Sequence, residues 1–589
     1  MKKGLMILVA TLVAVAVAMP AVAAVEFQYG GVFRTRWITS SNVSDGSSQW
    51  QDNDNHFDTR LRLYLTFKAS ENLKVVWRAE IGNIHWGDSR NATGSNSGGR
   101  MGADGVNVKT KNLYVQFNIP NIPTTAVVGV QGINLLQSWL VDDDFSAMAF
   151  VTKLDPVTVT LAYISGQNLP FSNVYDSGTG GYSQTAGSYY SSTKDNVDDY
   201  AFDITYSQKG VPIKASLTGV FMNANMVPWA IYPEAMQTPA SAFYPALSTT
   251  TFNDFPSTTF YTPGLTWGNV PWFGNRLDSV KNNQMFDLGF NLSYKIDWLS
   301  AYVNFAKNIG SVKTATRQYL GTDTAGGNYY GVYTGGNLLG AGIGQVQDAD
   351  YTGWMIDAGA SYFCGPYTFN LGGFYTSGQN LERQRVVIAN NGVQAGNVYN
   401  EYGQLVSTNG TYETKRYSSY DNVDFFTYPG ATSKVFSEIV GGGILDMYAP
   451  FASAQSNGSN FWRGYGFPTN LWTVTAGAAW QVLEKTKLSA SYWYFQTSEA
   501  VGTGRFERDL SEKTSTDLGH EFNLYLTQGI VDGLTLDIVG AFMLTGDAYA
   551  RSGYLQATRL GATNNVIVTP VTWDKDNVYE VGARLQWEF

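Results

Sequence analysis

Six arginines carry the clearest chemistry in this chain. Arg34, Arg36, Arg60, Arg62, Arg78 and Arg584 all sit in segments where apolar and polar residues alternate, and all take the polar register. Arginine stays charged at any relevant pH and offers a rigid fork of donors matched to carboxylate or phosphate. On adjacent strands the six would form a ladder along one wall, the arrangement by which pores attract anions. Glu26, Asp58, Glu80, Glu580 and Glu588 share that register nearby, so the same arginines could pair with acids and stiffen the wall; both roles can hold at once. Asp203, Asp287, Asp357, Asp537 and Glu521 have inward parity on scattered segments. They would line the opposite wall and set up a transverse field, or stand as solvated carboxylates.

What positions these residues is a side-chain period of two, the signature of β-strands. Strands are expected near 26–38, 56–69, 72–84, 107–119, 124–133, 144–154, 156–165, 198–208, 211–222, 284–296, 298–308, 351–363, 366–377, 471–482, 486–497, 517–528, 533–545 and 576–589. In the second of these Phe57, Leu61, Leu63, Leu65 and Phe67 oppose Asp58, Arg60, Arg62, Tyr64, Thr66 and Lys68. The last alternates to its final residue, with Tyr579, Val581, Ala583, Leu585, Trp587 and Phe589 on one face. The connections alternate short and long, with long ones at 39–55, 85–106, 134–143, 166–197, 223–283, 309–350, 378–470, 498–516 and 546–575. Tight turns at one end and long loops at the other describe an all-β, antiparallel transmembrane barrel of about 16–18 strands with both termini on the periplasmic side. A lumen of that size is not filled by strand side chains alone and must hold water or folded-in loops.

The N-terminus reads as a cleaved signal peptide over 1–24: Lys2 and Lys3, an apolar run from Leu5 to Val17, then Pro20-Ala21-Val22-Ala23-Ala24. Residues 25–589 would form one barrel domain. The balance of 38 Lys and Arg against 48 Asp and Glu, net −10, argues against a nucleic-acid partner. A single cysteine, Cys364, excludes a disulfide framework and is expected as a buried small residue. His56, His85 and His520 lie far apart in sequence, and no hydrolase elbow or zinc motif contains them. Asp142-Asp143-Asp144 and Asp52-Asn53-Asp54-Asn55 are oxygen-rich, but solvated loop ends account for them better than a cation site. No catalytic residue, metal or cofactor is expected. The 223–283 connection, with Trp229, Trp267 and Trp272 among many aromatics, could fold into the lumen and narrow it or form an external cap.

The signal peptide, the alternation and terminal Phe589 together resemble Gram-negative outer-membrane porins. Asp517-Leu518-Gly519-His520-Glu521-Phe522-Asn523-Leu524-Tyr525-Leu526, Gly533-Leu534-Thr535-Leu536-Asp537, Gly546-Asp547, Arg60-Leu61-Arg62 and Trp77-Arg78 are similar to segments of 18-stranded alginate-export-type porins. The resemblance implies integration in the outer membrane against lipid and lipopolysaccharide, and reading of the last strand by the barrel-assembly machinery. It also implies an arginine-lined path for an acidic polysaccharide. Longer loops and an acidic balance depart from that family, so the architecture carries over and the solute stays open. The expected function is passive diffusion of small hydrophilic solutes. Its rivals are a selective channel for anionic organic acids or acidic oligosaccharides, a barrel scaffold sheathing an electron-transfer or surface partner, and, weakest, an enzyme. The outward aromatic stripe suits a homotrimer contact or lipid equally.

Overall fold

The computed structural model describes residues 25–42, 53–87, 108–168, 196–224, 280–314, 349–378, 422–429, 434–445, 467–506, 512–549 and 575–589, with a few short strands between them. The 1–24 segment and nearly all of 223–283 lie outside the described residues.

The alternation becomes eighteen long strands. They are β1 Glu26–Ser41, β2 Asp54–Ser70, β3 Leu73–His85, β4 Val108–Asn118, β5 Thr124–Leu135, β6 Val141–Leu154, β7 Val157–Asn168, β8 Asn196–Ser207 and β9 Ile213–Ala224. The second half is β10 Val280–Ile296, β11 Leu299–Thr314, β12 Trp354–Cys364, β13 Tyr367–Thr376, β14 Leu471–Leu483, β15 Thr486–Phe506, β16 Glu512–Val531, β17 Leu534–Thr545 and β18 Val578–Glu588. Each pairs antiparallel with the next, and β18 pairs with β1 from Ser41 opposite Tyr579 to Val32 opposite Glu588. Closure leaves no free edge to recruit another chain. Two short rim strands, Ala349–Tyr351 and Asn422–Val423, join the same sheet.

Each expected strand has its counterpart, and the eight tight connections, such as 71–72, 297–298 and 484–485, gather at one end with the start of β1 and the end of β18. The outer face is apolar. Leu217, Leu292, Leu371, Leu524 and Ile538 are exposed along the middle of their strands. Near the tight-turn end the exposed outer residues are Phe27, Tyr29, Trp298, Tyr362, Tyr367, Trp480, Trp587 and Phe589. An apolar band edged by aromatics is the surface a barrel presents to hydrocarbon and headgroups. No helix among the described residues is long and apolar enough to cross a membrane, so crossing falls to the strands.

The closing seam is tight. The Phe589 amide donates to the Gly31 carbonyl at 3.1 Å and its carbonyl accepts from the Gly31 amide at 2.9 Å. A Cβ at Gly31 would stand 2.6 Å from the Phe589 ring and 2.5 Å from the Arg62 carbonyl, so any side chain there would push the last residue out of register.

Candidate functional site

The arginines come together on the inner face of β18, β1, β2 and β3. Arg36 stands opposite Arg584 on one side and Asp58 on the other, Arg34 opposite Arg60, Arg62 opposite Glu80, and Tyr64 opposite Arg78. Pairing with acids is extensive. Arg36 grips Asp58 through Nε, 3.0 Å from Oδ1, and through Nη2 to Oδ2. Arg62 Nε donates to Glu80 Oε2 at 2.7 Å, and Arg584 donates to Asp537 Oδ2 through Nε at 3.0 Å and Nη2 at 2.8 Å. Arg34 donates to Asn83, and the Arg78 guanidinium lies 4.9 Å over the Tyr64 ring. Exposure rises down the ladder: the Arg36 side chain is 4% exposed near the long-loop end, that of Arg62 is 34%, and Arg78 is exposed toward the tight turns. Asp537 therefore belongs to the arginine seam and not to a facing wall.

Two loop segments enter the lumen. The 134–143 region, expected as an external loop, is a short reversal: β5 runs to Leu135, β6 starts at Val141, and the chain between turns inward. Leu136, Gln137 and Ser138 take left-handed φ values of 53°, 54° and 68°. Each costs a non-glycine residue about 1–2 kcal/mol. Such strain persists only where surrounding contacts over-determine it. Here Asn134 caps the turn through the Ser138 amide and hydroxyl. Beyond it Trp139 is fully buried, its indole nitrogen donating to Asp357 Oδ2 at 2.7 Å and its ring edge-on to Phe374. Asp357 is on β12 and Phe374 on β13, so a turn between β5 and β6 reaches them only by crossing the interior.

The second segment, 434–445, crosses further. Lys434 sits 3.3 Å from Asp357 and 4.9 Å over the Trp139 ring. Glu521 on β16 accepts backbone N–H groups from Glu438, Ile439 and Val440 at 2.8, 3.0 and 3.1 Å. Glu438 in turn accepts from Ile444 and Leu445 at 3.0 and 2.7 Å. Leu445 packs on Ile38 and Val539, and Arg584 Nη1 reaches the Ile444 carbonyl at 3.3 Å. The segment thus runs from β12 to the arginine seam. Glu438 lies outside the spanning strands, and burial pushes its carboxyl above the ordinary 4.5. The Leu445 and Ile444 amides, Tyr525 and Arg584 oppose that shift.

The acids expected on an opposing wall point inward and are hydrogen-bonded by neighbouring side chains. Asp287 is bonded by Asn308, and Asp203 by Thr205 and Thr218. Asp357 takes Tyr302, Asn304, Trp139 and Lys434. Glu580, expected near the arginines, is buried beside the seam. Alternation reported their parity. It could not report that inserted segments would fold over Asp357.

Asp144, from the Asp142–Asp144 run, is paired with Lys111 at 2.8 Å. His520 faces outward, with Nδ1 2.8 Å from the Tyr492 hydroxyl. Cys364, expected to be buried, is exposed at the end of β12. His56 and His85, distant in sequence, lie with ring centroids 4.7 Å apart and group with Asp58. The expectation of no metal ligands thus meets one ligand-type trio.

No protein-family profile and no curated relative matches the chain. In fold it is similar to solved structures. Pseudomonas aeruginosa OccK11 (OpdR) is 9% identical over 96% of each chain with a TM-score of 0.40. P. aeruginosa OpdK with vanillate is 9% identical over 96% of this chain and 98% of that one, TM-score 0.41. A BenF-like porin from Pseudomonas fluorescens Pf-5 is 8% identical over 96% and 99%, TM-score 0.39.

Proposed function

We propose that this chain is an integral outer-membrane porin, a water-filled channel for passive diffusion of small hydrophilic solutes. The observation that carries this is the two-sided barrel: an outer face suited to lipid and an inner face of fixed charges crossed by two inserted segments. Lipid and lipopolysaccharide would contact the outer band, and the assembly machinery would read the strand ending at Phe589. The signal peptide over 1–24 and a single barrel domain over 25–589 belong to the same proposal. Size exclusion would come from 136–140 and 434–445, which narrow the lumen. Guidance would come from the ladder, whose lower members Arg62 and Arg78 meet solvent. No bond is made or broken, and no cofactor is invoked.

The second reading, preference for anionic organic acids or acidic oligosaccharides, is favoured by one feature. Arg34 and Arg60 stand directly opposite each other, so positive charge is concentrated on neighbouring strands despite the ion pairs around it. Planar-bilayer recording of the purified chain tests both. Open-channel conductance supports the porin, and a closed, non-conducting barrel overturns it. Anion preference lost on joint Arg60→Ala and Arg62→Ala substitution supports the selective channel; preference unchanged by that pair removes it.

A further inference from the structure

We infer a binding site for a divalent transition metal of the zinc class at the long-loop mouth of the barrel, formed by His56, Asp58 and His85. One ligand atom from each lies within 4.8 Å of the others. Two imidazoles and a carboxylate are the donor set that zinc and its neighbours take, whereas calcium and magnesium want oxygen alone. With metal–ligand bonds of about 2.0–2.2 Å, ligand atoms stand roughly 3.4 Å apart, so modest side-chain rotations about fixed backbones would close the set.

The backbone is built to bring these three together. His56 and Asp58 alternate on the inner face of β2, opposite Ile38 and Arg36 of β1. Alternation along β3 from Arg78 and Glu80 would send His85 outward. A bulge between Thr59 and Leu61 of β2, facing Gly82 at φ 110°, inserts one residue into β3 and reverses the parity beyond it. His85 then comes directly opposite Asp58. Bulges commonly re-aim side chains in this way beside functional sites. The hairpin end is clamped on its outer side, where Trp86 stacks on Phe57 at 5.0 Å and donates to Thr59 at 2.9 Å.

The ligands also have outer partners. Asp54 Oδ2 lies 2.8 Å from His56 Nδ1 but off the line of a hydrogen bond; a small rotation of the half-exposed Asp54 carboxylate would complete a carboxylate–histidine–metal arrangement, with Nε2 left to coordinate. Arg36 occupies one acceptor direction on each Asp58 oxygen. An ionised carboxylate has about four such directions, so coordination remains open to it. The charge of Arg36 is balanced by Asp58. A bound ion would place positive charge at the head of the arginine ladder.

The test uses the full chain inserted in detergent or lipid, titrated with ZnCl2 by calorimetry and with Co2+ by visible absorption. One ion per chain is expected, with imidazole-type Co2+ bands. His85→Ala or His56→Ala should weaken binding at least tenfold, and Asp54→Asn by a smaller factor, while Asp532→Ala at the opposite end leaves it unchanged. Conservative His85→Gln serves where an alanine variant fails to insert. Stoichiometry well below one, a Co2+ spectrum of oxygen ligands only, or histidine variants that bind like the parent would overturn the site.

Discussion

The two sides of the lumen use polar side chains differently. On the β18–β1–β2–β3 side, arginine–carboxylate pairs join adjacent strands: Arg36 to Asp58, Arg62 to Glu80, Arg584 to Asp537. On the β10–β13 side the polar residues are mainly amides, and they reach into loops. Asn291 donates to Asn304 at 2.7 Å, and Asn304 donates to Asp357 and to Gln137 of the inward turn. Asn308 both donates to the Thr427 carbonyl and accepts from its amide, each at 2.8 Å. The difference follows from chemistry. Arginine only donates, so it pairs with neighbouring acids and stiffens a wall; asparagine donates and accepts, so it can satisfy the bare backbone of an inserted segment. One wall is stitched mainly by ion pairs between its own strands, and the other mainly binds inserted segments, which also reach Glu521 and Arg584 across the lumen.

The sharpest way to break this comparison is at Glu521, which lies between the two systems. Glu521→Ala should leave three buried N–H groups without acceptors. Even one such group costs about 1–3 kcal/mol, and losses of this size turn a docked segment into a largely released one. Single-channel conductance should rise and protease should cut near 438; unchanged conductance and protection would mean that the Lys434 and Arg584 contacts and apolar packing hold 434–445 without Glu521. Asp357→Ala comes next, removing the acceptor shared by Trp139 and Lys434 and leaving the Lys434 ammonium only the Gln137 carbonyl and the Trp139 ring. Loosening of the 136–140 turn by about 1.5–3 kcal/mol is expected from the lost charge-assisted hydrogen bonds, read as wider conductance and increased Trp fluorescence change with quencher. If only the 434–445 segment loosens, the two insertions are independent.

Substitution on the arginine side should act on selectivity instead. Arg62 is partly exposed although Glu80 is largely buried, so losing their pair should cost on the order of 1–2 kcal/mol. The joint Arg60→Ala, Arg62→Ala variant should therefore insert normally, with a reversal potential shifted toward cations. A large stability loss with no shift in potential would assign the seam to structure alone.

The smallest effect concerns pH. Burial raises the Glu438 carboxyl above 4.5, so its neutral form is favoured in the docked segment relative to the released one. That contribution is complete below 4.5 and is lost as pH rises through the raised value. Docking should weaken slightly as pH climbs from 4.5, seen as more frequent open-channel fluctuations, and Glu438→Gln should abolish the dependence. A dependence of opposite sign would place the dominant influence with the amides and Arg584.

The strands and the seam were legible because a strand facing lipid on one side and water on the other must alternate, and the alternation is written in adjacent residues. Parity thus located the eighteen strands, the tight turns, the inward face of all six arginines and the acid partners Asp58 and Glu80. It failed where the chain leaves period two. The bulge at Gly82 turned inward His85, expected at the start of the 85–106 connection, and the left-handed run Leu136–Ser138 turned an expected outer loop into the lumen. The tertiary structure alone decided which carboxylates would be covered, because Asp357 and Glu521 meet loops that come from distant parts of the chain. Hydrogen bonds to inserted backbone depend on positions in space, and no local pattern along the chain encodes them.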